Sequence, residues 1–101
     1  MDEKKLAGLL GLSLRAGQLK TGTDAVVDSI RRGQAKLVLI SSASSDNTRK
    51  KLKDACTFRN VPFYELEDGL IPKALGRDVS AAAVINGSFY EGLLSLLNAE
   101  D

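Results

Sequence analysis

Leu37-Val38-Leu39-Ile40, entered from Lys36 and left through the polar run Ser41 to Ser45, is the stretch on which the fold turns. Four apolar residues without alternation leave no face for water, the pattern of a strand covered on both sides. Ala81-Ala82-Ala83-Val84-Ile85 repeats that pattern with small side chains that let a helix sit close. Strands covered on both faces require helices above and below the sheet.

The flanking segments supply those helices. Residues 3–16 read as an amphipathic helix, with Leu6, Leu9, Leu10 and Leu14 on one stripe, Asp2 and Glu3 at its start and Gly17 at its end. Gly8 and Gly11 weaken it by roughly 1 kcal/mol each relative to Ala, so both read as points of close packing. Residues 18–21 are extended. Thr23 is expected to cap a helix over 24–32, with Val26, Val27 and Ile30 inward, Arg31 and Arg32 in its last turn and Gly33 stopping it. A third helix over about 46–57 turns Thr48, Leu52, Ala55 and Cys56 inward. Val61 to Leu66 read as a strand, with Pro62 at an edge or at its beginning because proline cannot donate into a ladder. Pro72 at the first helical position and Gly76 past the last would bracket a very short helix. Asn86-Gly87 turns the chain, and Ser88 with Glu91 forms a capping box for a final helix that buries Phe89, Leu93, Leu96 and Leu97. The expectation is an α/β protein: a three-layer α/β/α sandwich around a roughly four-stranded mixed sheet, one domain over residues 1–101.

Composition narrows the function. The 101 residues are 44% apolar and 27% charged, ordinary values for a globular chain. The five residues 81–85 form the longest apolar run, far short of the roughly 20 that a membrane helix needs. With no leader-like opening, the expected compartment is the cytoplasm and no membrane partner is expected. Cys56 stands alone and forms no disulfide within the chain. Histidine is absent, which removes Ser-His-Asp and Cys-His nucleophile arrangements and His-ligated zinc. The net charge of +1 conceals a split: residues 1–60 hold twelve Lys/Arg against six Asp/Glu, and residues 61–101 hold two against seven. Such asymmetry suits one surface that attracts a polyanion, though chance and helix-dipole preferences explain it equally well.

Individual motifs are weaker. Gly17 to Gly22-Thr23 has the glycine spacing of a phosphate loop but puts Thr23 where the lysine belongs, so no nucleotide hydrolase is read there. What survives is a glycine turn opening a helix, whose exposed amides can receive a phosphate or a base acceptor. The cations Arg49, Lys50, Lys51 and Lys53 read as a solvated helix face, and Ser41 to Ser45 as a polar loop. Asp24 and Asp28 form a mildly repulsive exposed pair rather than a metal site. No stacking platform is visible among the few, scattered aromatics. From these residues alone no catalytic centre, cofactor or metal site is expected.

Leu14-Arg15-Ala16-Gly17, Gly22-Thr23 and Arg32-Gly33-x-Ala35-Lys36-Leu37-Val38-Leu39-Ile40 together resemble the small kink-turn-binding ribosomal proteins of the L-seven-Ae and L-thirty-e superfamily, in particular its bacterial YlxQ-like branch. Asn47-Thr48-x-Lys50-Lys51-Leu52, Cys56 with Val61-Pro62, and Phe89 with Leu93 and Leu96-Leu97 extend the resemblance over nearly the whole chain. The resemblance implies an L-thirty-e-like fold and a non-catalytic protein that binds structured RNA, kink-turn-like or ribosomal. In the family, the strand-to-helix turn and first turn of the second helix meet the sheared G·A pairs of the kink. The loop before the last strand holds a bulged nucleotide. Carried over, the first region is Lys20, Thr21, Gly22, Thr23, Asp24, Ala25 and Asp28, flanked by Arg31, and the second is Gly76, Arg77, Asp78 and Val79. This chain departs from the family's readers: Asp24-Ala25 replaces Asn-Glu, and Asp28 replaces a lysine. Asp24 can still accept from guanine donors, Ala25 makes no such bond, and Asp28 repels phosphate. The reading is therefore a monomeric, ribosome-associated RNA-binding protein with no DNA partner, set against a protein-interaction module on the same fold that has lost kink-turn specificity.

Overall fold

A computed structural model describes residues 2–67, 69–85 and 87–98. The element order is α1 (Glu3–Arg15), β1 (Leu19–Thr21), α2 (Thr23–Arg31), β2 (Leu37–Ser41), α3 (Asp46–Arg59), β3 (Phe63–Leu66), α4 (Leu70–Leu75), β4 (Ala81–Val84) and α5 (Gly87–Asn98). The four strands form one mixed sheet in the order β1-β4-β2-β3. β4 runs antiparallel to both β1 and β2, and β2 runs parallel to β3. Thr21 pairs with Ala82, Ile40 with Ala81 and Ser41 with Leu66, so the C-terminal ends of β1, β2 and β3 meet the start of β4 at one end of the sheet.

Every residue of β2 and β4 is buried, as their unbroken apolar runs require. Alternation divides them between two cores. Leu37, Leu39, Ala82 and Val84 face α1, α4 and α5, packing with Leu6, Leu10, Ile71 and Leu93. Val38, Ile40, Ala81 and Ala83 face α2 and α3, packing with Val26, Val27, Ile30, Leu52 and Cys56. This is the expected three-layer α/β/α sandwich. Burial pushes the Cys56 thiol up to about 11, so it serves as a small apolar group there. Pro62 immediately precedes β3, which is an edge strand, so its missing donor costs the sheet nothing.

Several boundaries differ from the sequence reading, each for a physical reason. α2 starts at Thr23 with Gly22 as N-cap, because Gly22 takes φ 93° and ψ 149° and completes the turn one residue early. That region of backbone space is essentially reserved for glycine. α4 starts at Leu70, so Pro72 is its third residue rather than its first. Proline fits there because the amides of a first turn have no intrahelical acceptor to lose. α5 begins at Gly87, which places Ser88 inside its first turn instead of at the N-cap. The turn expected at Asn86 lies outside the described residues. α3 runs to Arg59, two residues further than expected, and ends on Asn60 at φ 58°. Gly8 is not a packing point: a Cβ there would meet nothing within 4 Å. A Cβ at Gly11 would make only ordinary contacts with Arg15 and the Ala74 carbonyl, at 3.5 and 3.8 Å. The close approach instead belongs to Gly92 of α5, where a Cβ would stand 3.0 Å from Leu9 of α1.

Candidate nucleic-acid interface

The turn from β1 into α2 is built by backbone chemistry. Gly22 donates its amide to the Ala81 carbonyl at 3.0 Å, while its own carbonyl accepts from Val26 at 3.0 Å. The first bond ties the turn to the start of β4, and the second opens the helix. No side chain caps α2, so the amides of Thr23, Asp24 and Ala25 are left without an intrahelical acceptor. α1 and α3 differ: Asp2 accepts from the Lys5 amide and Ser45 from the Thr48 amide.

Lys20, Asp24, Ala25, Asp28 and Arg31 are exposed, and Thr21, Gly22 and Thr23 are half-buried in the turn. The second region lies beside it. Gly76, at φ 66°, ends α4, and the Val79 amide then donates to the Arg77 carbonyl at 3.0 Å, curling the loop before β4. Ser80 closes that loop onto the sheet, its carbonyl accepting from the Ser41 amide at 2.8 Å. Arg77 Nη1 donates to Thr21 Oγ1 at 3.3 Å, joining the two regions through an exposed contact. Arg77 and Asp78 are exposed and Val79 is half-buried. The fold thus gathers residues 20–25 and 76–79 at one end of the sheet. Arg31 is set apart, in the last turn of α2 some 10 Å along the axis from Asp24.

The two acids of α2 differ in their surroundings. Asp28 accepts from Arg32 Nε at 2.9 Å, an exposed pair at helical spacing that offsets its charge. Asp24 has no ion pair among the described residues and sits in the first turn, where the helix dipole favours an anion. The Asp28–Arg32 pairing was missed in the sequence, although its i, i+4 spacing was the available signal.

The other motifs find structural roles. Gly17 and Gly22 flank β1, so the glycine spacing encloses a strand rather than a phosphate loop. Ser41 Oγ accepts from the Ala43 amide, Ser44 Oγ donates to the Ser41 carbonyl, and Ser45 caps α3. Of the clustered cations Arg49, Lys50, Lys51 and Lys53 of α3, Arg49 pairs with Asp46, Lys50 with Asp54 and Lys53 with Glu65. The Lys53 hydrogen bond lowers the Glu65 pKa. Among the described residues, no group of three or more His, Cys, Asp or Glu could hold a metal ion. No helix among them is long and apolar enough to cross a membrane.

Comparison with known proteins bears on this geometry. A sequence model of the ribosomal protein L7Ae/L30e/S12e/Gadd45 family matches residues 4–93. The chain is 37% identical over 92 residues to the RNA-binding protein YlxQ of Bacillus subtilis (strain 168), covering 89% of this chain and 92% of that one. It is 33% identical over 97 residues to the RNA-binding protein YlxQ of Enterococcus faecium, covering 95% and 94%. Among solved structures, a protein of unknown function from Bacillus halodurans C superimposes with a TM-score of 0.87 at 33% identity, covering 94% of this chain and 98% of that one.

Proposed function

The chain belongs to the ribosomal protein L7Ae/L30e/S12e/Gadd45 family, and from that premise we propose that it is a non-catalytic RNA-binding protein. It holds a kinked or otherwise structured RNA against the N-terminus of α2 and the loop before β4, with ribosomal RNA as the expected class of target. The observation that carries the reading is the contact between Arg77 and Thr21, which makes one surface of two regions far apart in sequence. Beside it, the Gly22 turn leaves three amides of α2 without intrahelical acceptors. Amides at a helix N-terminus receive phosphate or base acceptors, and flanking cations such as Lys20 and Arg77 neutralise phosphate. Glycine at position 22 keeps side-chain bulk off the approach. The neutralisation of Asp28 by Arg32 removes part of the repulsion that its sequence position implies.

The test is a titration of the protein against a kink-turn RNA and against the same RNA with its sheared G·A pairs converted to Watson–Crick pairs. Tighter binding to the kink-turn is expected. Affinity should also fall steeply with salt, each neutralised phosphate adding about −0.9 to the log–log slope on a duplex. Equal affinity for both RNAs would remove kink-turn recognition while keeping RNA binding, and no affinity for either would overturn the reading. Asp24, without an ion pair among the described residues, and the mute Ala25 favour a second reading, a protein-interaction module on the same fold. Partners retained after ribonuclease treatment would support that reading.

A further inference from the structure

Phe58 is 77% exposed, more than Leu12 at 52%, the other large apolar side chain that faces solvent among the described residues. It stands in the last turns of α3 and, with Ala55 and the edges of Val27 and Ile30, floors a groove of about 500 Å³ between α2 and α3. Arg31, Lys51 and Arg59 line the rim, and none of them forms an ion pair among the described residues. Asp54, the one acid on the rim, is paired with Lys50 at 3.2 Å. The Arg59 guanidinium lies 5.7 Å from the centroid of the Phe58 ring. Past Arg59 a second depression continues toward Lys36 and Tyr90. An exposed aromatic ring beside unpaired cations matches a planar base joined to phosphates, because the ring takes the base and the cations take the charge. The cationic rim repels a basic partner and attracts a polyanion. Arg31 also places the groove about 10 Å down α2 from Asp24, within reach of a nucleotide or two continuing from an RNA held at the helix N-terminus.

We infer that the α2–α3 groove is a second RNA subsite, which takes an unpaired nucleotide flanking the structured element, its base against Phe58 and its phosphates among Arg31, Lys51 and Arg59. The inference rests on the RNA-binding reading above, and its test separates the two. Fluorescence anisotropy at fixed salt compares a blunt-ended kink-turn duplex with the same duplex carrying a four-nucleotide single-stranded extension, for the unaltered protein, Phe58→Ala and Phe58→Tyr. The extension should tighten binding by about fivefold or more in the unaltered protein, the scale of one stacked base. Phe58→Ala should abolish that gain and leave blunt-duplex affinity unchanged, and Phe58→Tyr should keep it. Phe58 is exposed, so these substitutions remove little packing, and a circular-dichroism melt of each checks that it folds. Blunt-duplex binding with no gain from the extension, or a gain that survives Phe58→Ala, overturns the subsite alone. Failure of both RNAs to bind overturns the RNA-binding reading and the subsite with it. A protein captured after ribonuclease treatment and lost in Phe58→Ala would assign the groove to a protein partner and overturn the proposal.

Discussion

The N-termini of α2 and α3 belong to the same helical layer, each following a strand that finishes at the same end of the sheet, yet they are finished differently. At α3, Ser45 accepts from the Thr48 amide at 3.2 Å and donates to Thr48 Oγ1 at 2.9 Å, so the chain satisfies its own helix end. At α2, the residue in the same place is Gly22, which has no side chain to offer. Its amide is spent on Ala81, and the first-turn amides of Thr23, Asp24 and Ala25 have no intrahelical acceptor. A side-chain cap is commonly worth about 1 kcal/mol. Forgoing it at one of two neighbouring helices leaves all three first-turn amides of that end open to an external acceptor, whereas at the other Ser45 already takes one of them.

The largest expected effect on this contrast comes from Gly22→Ala. A φ of 93° with ψ of 149° excludes a Cβ on steric grounds local to the backbone, although the space around it is open. Denaturant unfolding should show a loss of about 1–3 kcal/mol, and RNA affinity should fall by about tenfold or more as the turn rearranges. An alanine variant with unchanged stability and affinity would erase the special status of α2. Next, Asp28→Lys adds a cation and frees Arg32 on the side of α2 proposed to meet RNA. Affinity should rise by about tenfold and the salt dependence should steepen by about one unit of log–log slope. A fall in affinity would place the RNA elsewhere. Ser45→Ala sharpens the comparison from the closed end: stability should drop by about 0.5–2 kcal/mol in thermal or denaturant melts, with RNA affinity unchanged.

The smallest effect concerns the Lys53–Glu65 pair, which lies away from both helix ends. The Lys53 hydrogen bond depresses the Glu65 pKa, so the folded state favours the carboxylate. The stability this contributes is present above the ordinary glutamate pKa and disappears as pH falls through the lowered one. Glu65→Gln should flatten that acid segment of the pH–stability curve slightly and leave RNA affinity at neutral pH unaltered. Surface pairs of this kind are weak, so a change exceeding that of Ser45→Ala would mean the pair also holds β3 in place.

Much of the architecture was legible in order and kind of element. The unbroken runs at Leu37–Ile40 and Ala81–Val84 announced buried strands, and the stripe Leu6, Leu9, Leu10, Leu14 announced α1, because apolar periodicity is imposed locally by the geometry of helix and strand. The ends were read less well. Thr23, Pro72 and Ser88 each read as a helix start from residue preference alone, and each lies inside its helix, the first two because Gly22 and Gly69 have already turned the backbone. Gly8 and Gly11 looked like packing points and Gly92 did not, since close approach depends on which helix arrives from elsewhere in the chain. In the sequence Phe58 is one of the few, scattered aromatics. Its position two residues past Cys56, off the inner stripe and next to Arg59, was the signal that it faces outward.

The amino-acid order by itself determined the layers, the two doubly covered strands and the glycine turn before α2, since all of these follow from patterns within a dozen residues. Only the tertiary structure decided that Thr21 and Arg77, 56 positions apart, touch, that Asp28 is offset while Asp24 is not, and that Phe58 opens onto a cationic rim. The physical reason is strand order. β4 inserts between β1 and β2 and carries its preceding loop against the Gly22 turn, a pairing fixed by long-range burial that no local periodicity encodes.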